Sequence, residues 1–246
     1  MKTSTKLIVG FFTLVLLTIT GFVGTAKYYS TRSLIEESGK MITKSGKIEG
    51  FAKLSVRGNI KVYLTQSNEN RYELKGDENY VKNINIGEIG NTLNVHPDKG
   101  MRRSKNVELH LYFTNIEELK LSGGSSIDCL AEIKGERLTI DCSGGSSGTL
   151  WLNYKDIVCE SSSGTNIEMK GTADNFTLDV SSGSNVDADG LLTKQCTVDG
   201  SSGANIQVNA SDKLNVDVSS GAHLSYAGNP EVKKINTSSG GSANSD

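Results

Sequence analysis

The sequence has few of the residues on which most enzyme sites depend. Its 246 residues include 3 His, 4 Cys, 2 Pro and 1 Trp, and aromatic residues make up 6%. The histidines, His96, His110 and His223, are too scattered for a zinc site or a Ser-His-Asp triad to be inferred from their spacing. We therefore predict a protein without a cofactor or a metal centre, and one that is not an enzyme.

No excess of charge indicates a nucleic-acid partner. The 26 basic and 28 acidic residues give a net charge of −2. Residues 27–121 carry 16 basic and 12 acidic side chains, whereas residues 122–246 carry 8 and 16, and this acidic second half disfavours binding to a phosphate backbone. Apolar residues make up 36% and glycines number 27, a composition typical either of partial disorder or of a narrow fold rich in small residues.

An uncharged stretch of 20 residues, 7–26, follows two lysines near the N-terminus. At about 1.5 Å per residue, a helix of this length can cross the roughly 30 Å apolar core of a bilayer. Residues 1–26 are therefore predicted to be an N-terminal hydrophobic helix, either a membrane anchor or a signal peptide cleaved after Ala26. A buried helix of a soluble protein is a third interpretation. The first two place the rest of the chain in the cell envelope, with residues 27–45 as a polar tether.

A Ser/Gly turn recurs through the second half of the chain and is its clearest signal. The intervals between the last glycines of successive turns are 21, 19, 19, 20, 18 and 19 residues. These glycines are Gly124, Gly145, Gly164, Gly183, Gly203, Gly221 and Gly240. Intervals this regular do not arise from random low-complexity sequence.

Apolar and polar residues alternate on both sides of the turns, as they do along a strand with one buried face. Five residues before the glycines stand Ile140, Cys159, Leu178, Val198 and Val216, and three residues after them stand Ile127, Ile167, Val186, Ile206 and Leu224. One repeat cannot bury its apolar side alone, but stacked repeats share a continuous core. The sequence therefore predicts an all-β fold, a parallel β-solenoid or β-helix-like stack with coils of about 19 residues.

The regular solenoid is predicted over residues 122–246, and residues 46–121 are predicted to form irregular β coils of the same stack. Strands can be recognised in this first part at 54–64, 92–95 and 107–113. Residues 145–151 depart from the repeat by about two positions, so a bulge or a shifted turn is expected there.

An acidic residue stands four positions before the repeat glycine in five successive coils. These residues are Asp141, Glu160, Asp179, Asp199 and Asp217. Strand alternation directs the column to solvent, where like charges on adjacent strands repel one another. One interpretation is a ridge that binds a cation or another ligand, since calcium prefers carboxylate oxygens. The other is a solvated face that prevents aggregation, and the Gly-rich nonapeptide of calcium-binding β-rolls is absent.

Asparagines stand two positions after the repeat glycine in three coils, at Asn166, Asn185 and Asn205, and His223 takes this position in a later coil. Asparagine side chains at turns can bond to the next coil, so we predict a structural ladder.

The four cysteines, Cys129, Cys142, Cys159 and Cys196, fall in inward-facing columns. Cys142 and Cys159 lie on adjacent coils but two positions apart, which implies a Cα separation of about 8 Å. A disulfide requires about 7 Å or less. We therefore predict free, buried thiols.

Several segments resemble the head GIN domain family. They are Gly50-Phe51, residues 58–66, residues 119–125 and the serial Ser-Ser-Gly turns. The resemblance covers residues 46–240 and implies an all-β, helix-like stack and a role as an auto-transporter adhesin of Bacteroidota envelopes, without catalytic residues. The chain has no room for a membrane barrel of eight strands of about 10 residues each, so self-translocation is not expected.

Three functions remain open from the sequence. The first is an exported, envelope-associated solenoid that binds or displays in the manner of an adhesin, with a glycan or an envelope protein as partner. The second is a polysaccharide-active enzyme that uses paired carboxylates of the acidic column, although short coils leave little room for a substrate groove. The third is a structural or signalling envelope protein that contacts another protein through a sheet face.

Overall fold

The computed structural model describes Thr18 and residues 35–99 and 107–245. Apart from Thr18, the predicted hydrophobic helix and membrane segment, 7–26, lie outside the described residues. The described chain is nearly all-β and forms a parallel β-solenoid of about 7 turns with a coil spacing of about 19 residues. The predicted fold class is therefore confirmed.

Two groups of strands follow one another along the described chain. The first group is β1 (Met41–Lys47), β2 (Lys53–Arg57), β3 (Lys61–Gln66), β4 (Arg71–Asp77), β5 (Ile84–Ile89), β6 (Thr92–Pro97) and β7 (Glu108–Phe113), with helix α1 (Glu78–Asn83) between β4 and β5. The second group is β8 (Glu118–Ser122), β9 (Ser126–Cys129), β10 (Ile133–Cys142), β11 (Ser147–Ser161), β12 (Asn166–Val180), β13 (Asn185–Gly200), β14 (Asn205–Val218), β15 (His223–Ala227), β16 (Val232–Thr237) and β17 (Ser242–Ser245).

The stack has two faces, because each coil places one strand segment before its turn and one after it. The ridge face consists of β2, β6, β8, the second halves of β10 to β14, and β16. The ladder face consists of β3, β7, β9, the first halves of β11 to β14, β15 and β17. Neighbouring segments within each face are parallel. In β11 to β14 the chain bends between the two halves.

The coil that comes first in sequence does not lie at the end of the stack. Strands β2 and β3 lie between the coil of β6 and β7 and the coil of β8 and β9. Antiparallel partners close this end, since β5 pairs with β6, β4 with β7, and β1 with β4. Strand β1 begins at Met41, so the end of the segment assigned above to a polar tether, 27–45, is part of the sheet.

The core lies between the two faces and is built from columns. Ile140, Cys159, Leu178, Val198 and Val216 are Cα partners on successive strands, and all are buried. Burial of one such aliphatic side chain contributes about 1.5–3 kcal/mol. Each side chain packs against the coils on either side, so the stack rather than the single coil is the stable unit.

The Ser-Ser-Gly turns are stacked by hydrogen bonds between coils. The second serine of each turn has a positive φ, for example 61° at Ser163 and 55° at Ser182. This conformation costs a non-glycine residue about 1 kcal/mol or more. The glycine N–H of one turn donates to the serine carbonyl of the next, as Gly164 does to Ser182 at 3.2 Å and Gly183 to Ser202 at 3.1 Å. These repeated bonds offset the strain.

Neither the bulge nor the shifted turn expected at residues 145–151 is present. Strands β11 and β12 are in continuous register from residue 147 to residue 154. Gly148 takes the column position of Ile127 and Ile167, and a Cβ on Gly148 would lie 2.8 Å from Cγ2 of Ile127. The isoleucine of the neighbouring coil therefore fills the space, and the apparent shift in the sequence is a change of residue size. The irregular places are the link between β9 and β10, where the offset to β11 changes from 21 residues at Ser126 to 19 at Ile133, and β13, where the register shifts.

Candidate functional site

The structure brings the five acidic side chains of the repeat together on the ridge face. Asp141, Glu160, Asp179, Asp199 and Asp217 are Cα partners on successive strands. Parallel strands lie about 4.8 Å apart, so the column is about 19 Å long. We call these five residues the acidic ridge.

The acidic ridge is exposed over most of its length. Asp141 is half-buried and the other four residues are exposed. At one end Lys120, the Cα partner of Asp141, forms an ion pair with its carboxylate, and this hydrogen bond raises the pKa of the lysine. At the other end Asn236 is the Cα partner of Asp217. The run of negative charge is thus bounded by a cation and by a neutral amide.

The pKa of Asp199, at the middle of the ridge, reports repulsion between neighbouring carboxylates. Partial burial raises the pKa of Asp199, and the charges of Asp179 and Asp217 raise it further. The carboxylates face outward, so the packing of the core does not require them. Repulsion along the ridge therefore lowers the free energy of unfolding.

The ridge does not have the geometry of a metal site. Within residues 35–99 and 107–245, no group of three or more His, Cys, Asp or Glu side chains is placed to hold a metal ion. Calcium needs about six to eight oxygens around one point, whereas the ridge spreads its carboxylates along a line. The cation-binding interpretation has no support from this arrangement.

The three asparagines are aligned on the ladder face. Asn166, Asn185 and Asn205 are Cα partners, and Nδ2 of Asn185 donates to Oδ1 of Asn166 at 2.8 Å. His223 continues the column, with Nδ1 at 2.7 Å from Oγ of Ser242. The Asn185–Asn166 bond is of the kind that a structural ladder requires, whereas Asn205 shares the column without a side-chain hydrogen bond to a described residue. A structural ladder is our proposal for the three asparagines.

All four cysteines are free thiols. Cys142, Cys159 and Cys196 are buried, and Cys129 is half-buried. Burial raises the pKa of the Cys129 thiol to about 11 and that of the Cys142 thiol to about 12. The thiolate, which is the nucleophile, is thus scarce at neutral pH. The cysteines serve as small apolar residues of the core.

A groove that the sequence analysis missed lies along the bends between the two faces. It has a volume of about 550 Å³ and is lined by residues of β10 to β14, among them Asn153, Thr172 and Leu192. Two signals in the sequence could have revealed it. Leu192 is apolar at an outward position, and Lys155, Asp174 and Lys194 alternate in charge at equivalent positions of successive coils.

The family described as "Putative auto-transporter adhesin, head GIN domain" matches residues 50–230. The chain belongs to this family. The match falls within residues 46–240, the range over which the sequence motifs resemble it, so that resemblance is confirmed. The acidic ridge, the asparagine column and the groove all lie in the matched part of this head GIN domain.

Solved structures similar to this head GIN domain come from Bacteroides and Parabacteroides species. A putative adhesin from Bacteroides fragilis has a TM-score of 0.81 at 21% identity, covering 86% of this chain and 100% of its own. A putative adhesin and a putative lipid binding protein, from Parabacteroides merdae and Parabacteroides distasonis, each have a TM-score of 0.67 at 18% identity, covering 87% of this chain and 99% of their own. At these identities the likeness shows the fold alone. No curated protein matches the sequence.

Helices contribute little to the described part of this head GIN domain. None of the helices among the described residues has the length and apolar character needed to span a membrane.

Proposed function

We propose that this head GIN domain protein is an exported, envelope-associated binding module of the adhesin type, without enzymatic activity, in which the acidic ridge is a ligand-binding surface. The observation that carries the proposal is the in-register column of like charges on an exposed face. Such a column destabilises the fold by repulsion, and a binding role gives a reason for it. Membership of an adhesin family supports the same role.

The chemistry of the ridge face favours a partner that donates hydrogen bonds or carries positive charge. Two positions before the acids stand outward-facing threonines, among them Thr177 and Thr197. Carboxylates and hydroxyls together can bond to glycan hydroxyls or to basic groups of an envelope protein. We further propose that residues 7–26 place the protein in the envelope, as a membrane anchor or as a cleaved signal peptide.

The test is binding of the full chain to an immobilised panel of host and bacterial glycans and of envelope proteins, with and without calcium. The informative variant is Asp179→Asn with Asp199→Asn. The matched control is Glu168→Gln with Asp187→Asn, because this pair lies in register on the same two strands but on the ladder face. We expect selective retention that is lost in the ridge variant, kept in the control and weakened by salt.

Equal retention of the ridge variant and the wild type would contradict the proposed site and leave the column as a solvated face. A reducing-end release assay on the same glycans addresses the enzymatic alternative. Release of sugar that is lost in Asp179→Asn or Asp199→Asn alone would contradict the non-enzymatic role.

A further inference from the structure

The groove along the bends has the size of a small-ligand site. Its volume of about 550 Å³ lies within the roughly 300–1,000 Å³ that is usual for such sites. One row of outward side chains runs along it, one from each of four successive coils. Asn153, Thr172, Leu192 and Asn209 form this row, which we call the groove row, and each is the Cα partner of the next.

Hydrogen-bonding groups in the groove row are left open. The side chains of Asn153 and Thr172 make no hydrogen bond to any residue that the structure describes. An amide and a hydroxyl can each donate and accept. A sugar hydroxyl can also donate and accept, so a polyol can form hydrogen bonds with both the donors and the acceptors of these two side chains. An anion would bond only to their donors and a cation only to their acceptors.

Charges in the groove are balanced. Its lining contains two lysines, Lys155 and Lys194, and two acids, Glu136 and Asp174. Nζ of Lys194 lies 2.7 Å from Oδ1 of Asp174, and this hydrogen bond raises the pKa of the lysine. Opposite charges side by side largely cancel at the distance of a ligand. The groove therefore fits a neutral molecule, in contrast to the acidic ridge.

An apolar side chain stands in the middle of this polar row. Leu192 is 57% exposed, and it is placed there by the irregular part of β13, whose register shifts against both neighbouring strands. The segment is fixed by two hydrogen bonds, from Nδ2 of Asn209 to the carbonyl of Asp189 at 3.2 Å and from Oγ1 of Thr193 to the carbonyl of Asn209 at 2.6 Å. The backbone on both sides of the exposed leucine is thus held by hydrogen bonds, and its side chain is not part of the core.

An aromatic ring lies near the groove on β11, although it is not part of the groove lining. Trp151 lies two residues before Asn153 on the same side of the strand, at a rise of about 6.6 Å, and it is 39% exposed. Nζ of Lys170 lies 4.8 Å from the centroid of its ring. Trp151 is the single tryptophan of the chain, so it also provides a spectroscopic signal next to the groove.

We propose that the groove binds a neutral saccharide, with Asn153 and Thr172 bonding to its hydroxyls and Leu192 packing against the C–H side of a sugar ring. A sugar presents both kinds of surface at once, and the groove row offers both in one line. The inference rests on the binding role proposed above and adds to it a ligand class and a second site.

The test is titration of the full chain with neutral trisaccharides of glucose, galactose and N-acetylglucosamine, followed by tryptophan fluorescence and by retention on the same sugars immobilised. The informative variants are Thr172→Ala and Leu192→Ser. Thr43→Ala is the matched control, because it removes the same exposed side chain from strand β1, away from both the groove and the acidic ridge. We expect about tenfold weaker binding for each groove variant, unchanged binding for the control, and no dependence on salt.

Three results would overturn the inference. They are no response of the wild type to any of the neutral trisaccharides, equal loss of binding in Thr43→Ala, and tighter, salt-sensitive binding of a uronic acid trisaccharide titrated in parallel. If ligands are retained in the panel experiment and only the ridge variant loses them, the groove proposal fails and the proposed function stands. If the wild type retains nothing in either experiment, both fail.

Discussion

Asp199 lies at the middle of the acidic ridge, with Asp179 on one neighbouring strand and Asp217 on the other. Its pKa is raised by partial burial and by the charges of these two neighbours. Because the folded pKa is above the unfolded value, ionised Asp199 opposes folding at neutral pH. That opposition fades as the pH falls through the folded pKa, since the folded protein then takes up the proton more readily.

Asp199→Asn is therefore expected to raise the free energy of unfolding at pH 7, by about 0.5 kcal/mol. The difference from the wild type should shrink as the pH approaches about 4, and urea unfolding across this pH range measures it. Asp174→Asn is the comparison with the opposite sign, because Asp174 is paired with Lys194. If both variants shift stability in the same direction, repulsion along the ridge is not the cause.

A second residue-scale prediction concerns the buried column that directly follows the repeat glycines. Its members are Ser125, Ser146, Thr165, Ser184, Ala204 and Ala222, all buried. Oγ of Ser125 has no hydrogen-bond partner among the described residues, whereas Oγ of Ser184 accepts from the N–H of Thr165 at 3.3 Å. Alanine already occupies the column at two positions, so it fits there.

We expect Ser125→Ala to stabilise the fold by about 1 kcal/mol, because it removes a buried polar atom that has no partner. Ser184→Ala should destabilise it by about the same amount, since it leaves a backbone N–H without its acceptor. Chemical denaturation of both variants provides the measurement. Destabilisation by Ser125→Ala would indicate that its hydroxyl is satisfied in solution.

At the scale of elements, the buried carboxylate of Asp77, at the end of β4, binds the segment that directly precedes strand β1. Asp77 accepts hydrogen bonds from the N–H groups of Ser38, Gly39 and Asn79 and from the hydroxyl of Ser38, at 2.8–3.0 Å. Burial alone raises its pKa, but the hydrogen bonds from Ser38, Asn79 and Gly39 lower it overall. The stabilisation is thus present above the unfolded pKa of about 3.9 and is lost as the pH falls through the lower folded value.

Asp77→Asn is expected to lower the unfolding temperature at pH 7, and calorimetry measures the change. The difference from the wild type should be largest above the unfolded pKa of about 3.9 and should narrow as the pH falls through the lower folded pKa of Asp77. Hydrogen exchange at pH 7 should show faster exchange in β1 but not in β12. Asp98→Asn, at an exposed acid in the same half of the chain, should leave both measurements unchanged.

At the scale of the whole molecule, the regular coils could be predicted because each one repeats the same Ser/Gly turn and the same alternation of apolar and polar residues. Alternation around the turn sets which side chains are buried, and the repeat length sets which residues share a column, so the alignment of Asp179 with Asp199 follows from the sequence. The order β6, β2, β8 in the ridge face could not be predicted. The alternation of apolar and polar residues along a strand is the same whichever strand it pairs with. The groove depends on the register shifts in β13. Such a shift is a departure from the repeat, so the repeat pattern could not predict it.

The last coil ends the described stack with polar residues in columns that are apolar elsewhere. Lys233 is the Cα partner of Leu214, and Ser245 is the Cα partner of Tyr226. Nζ of Lys233 donates to the hydroxyl of Tyr226 at 3.0 Å and lies 5.1 Å from the centroid of its ring. A lysine in this place covers the end of the core and hinders the edge strands β16 and β17 from pairing with a second molecule.

Lys233→Leu is therefore expected to favour self-association, because it continues the apolar column to an open edge of the sheet. Sedimentation velocity over a concentration series of the full chain measures the effect, and the species formed should be larger at higher concentration. Lys234→Leu removes the same charge from the neighbouring residue, which stands in the outward column with Asn215, and it should remain like the wild type. Association of both variants to the same extent would mean that net charge, and not a cap on the core, keeps the molecules apart.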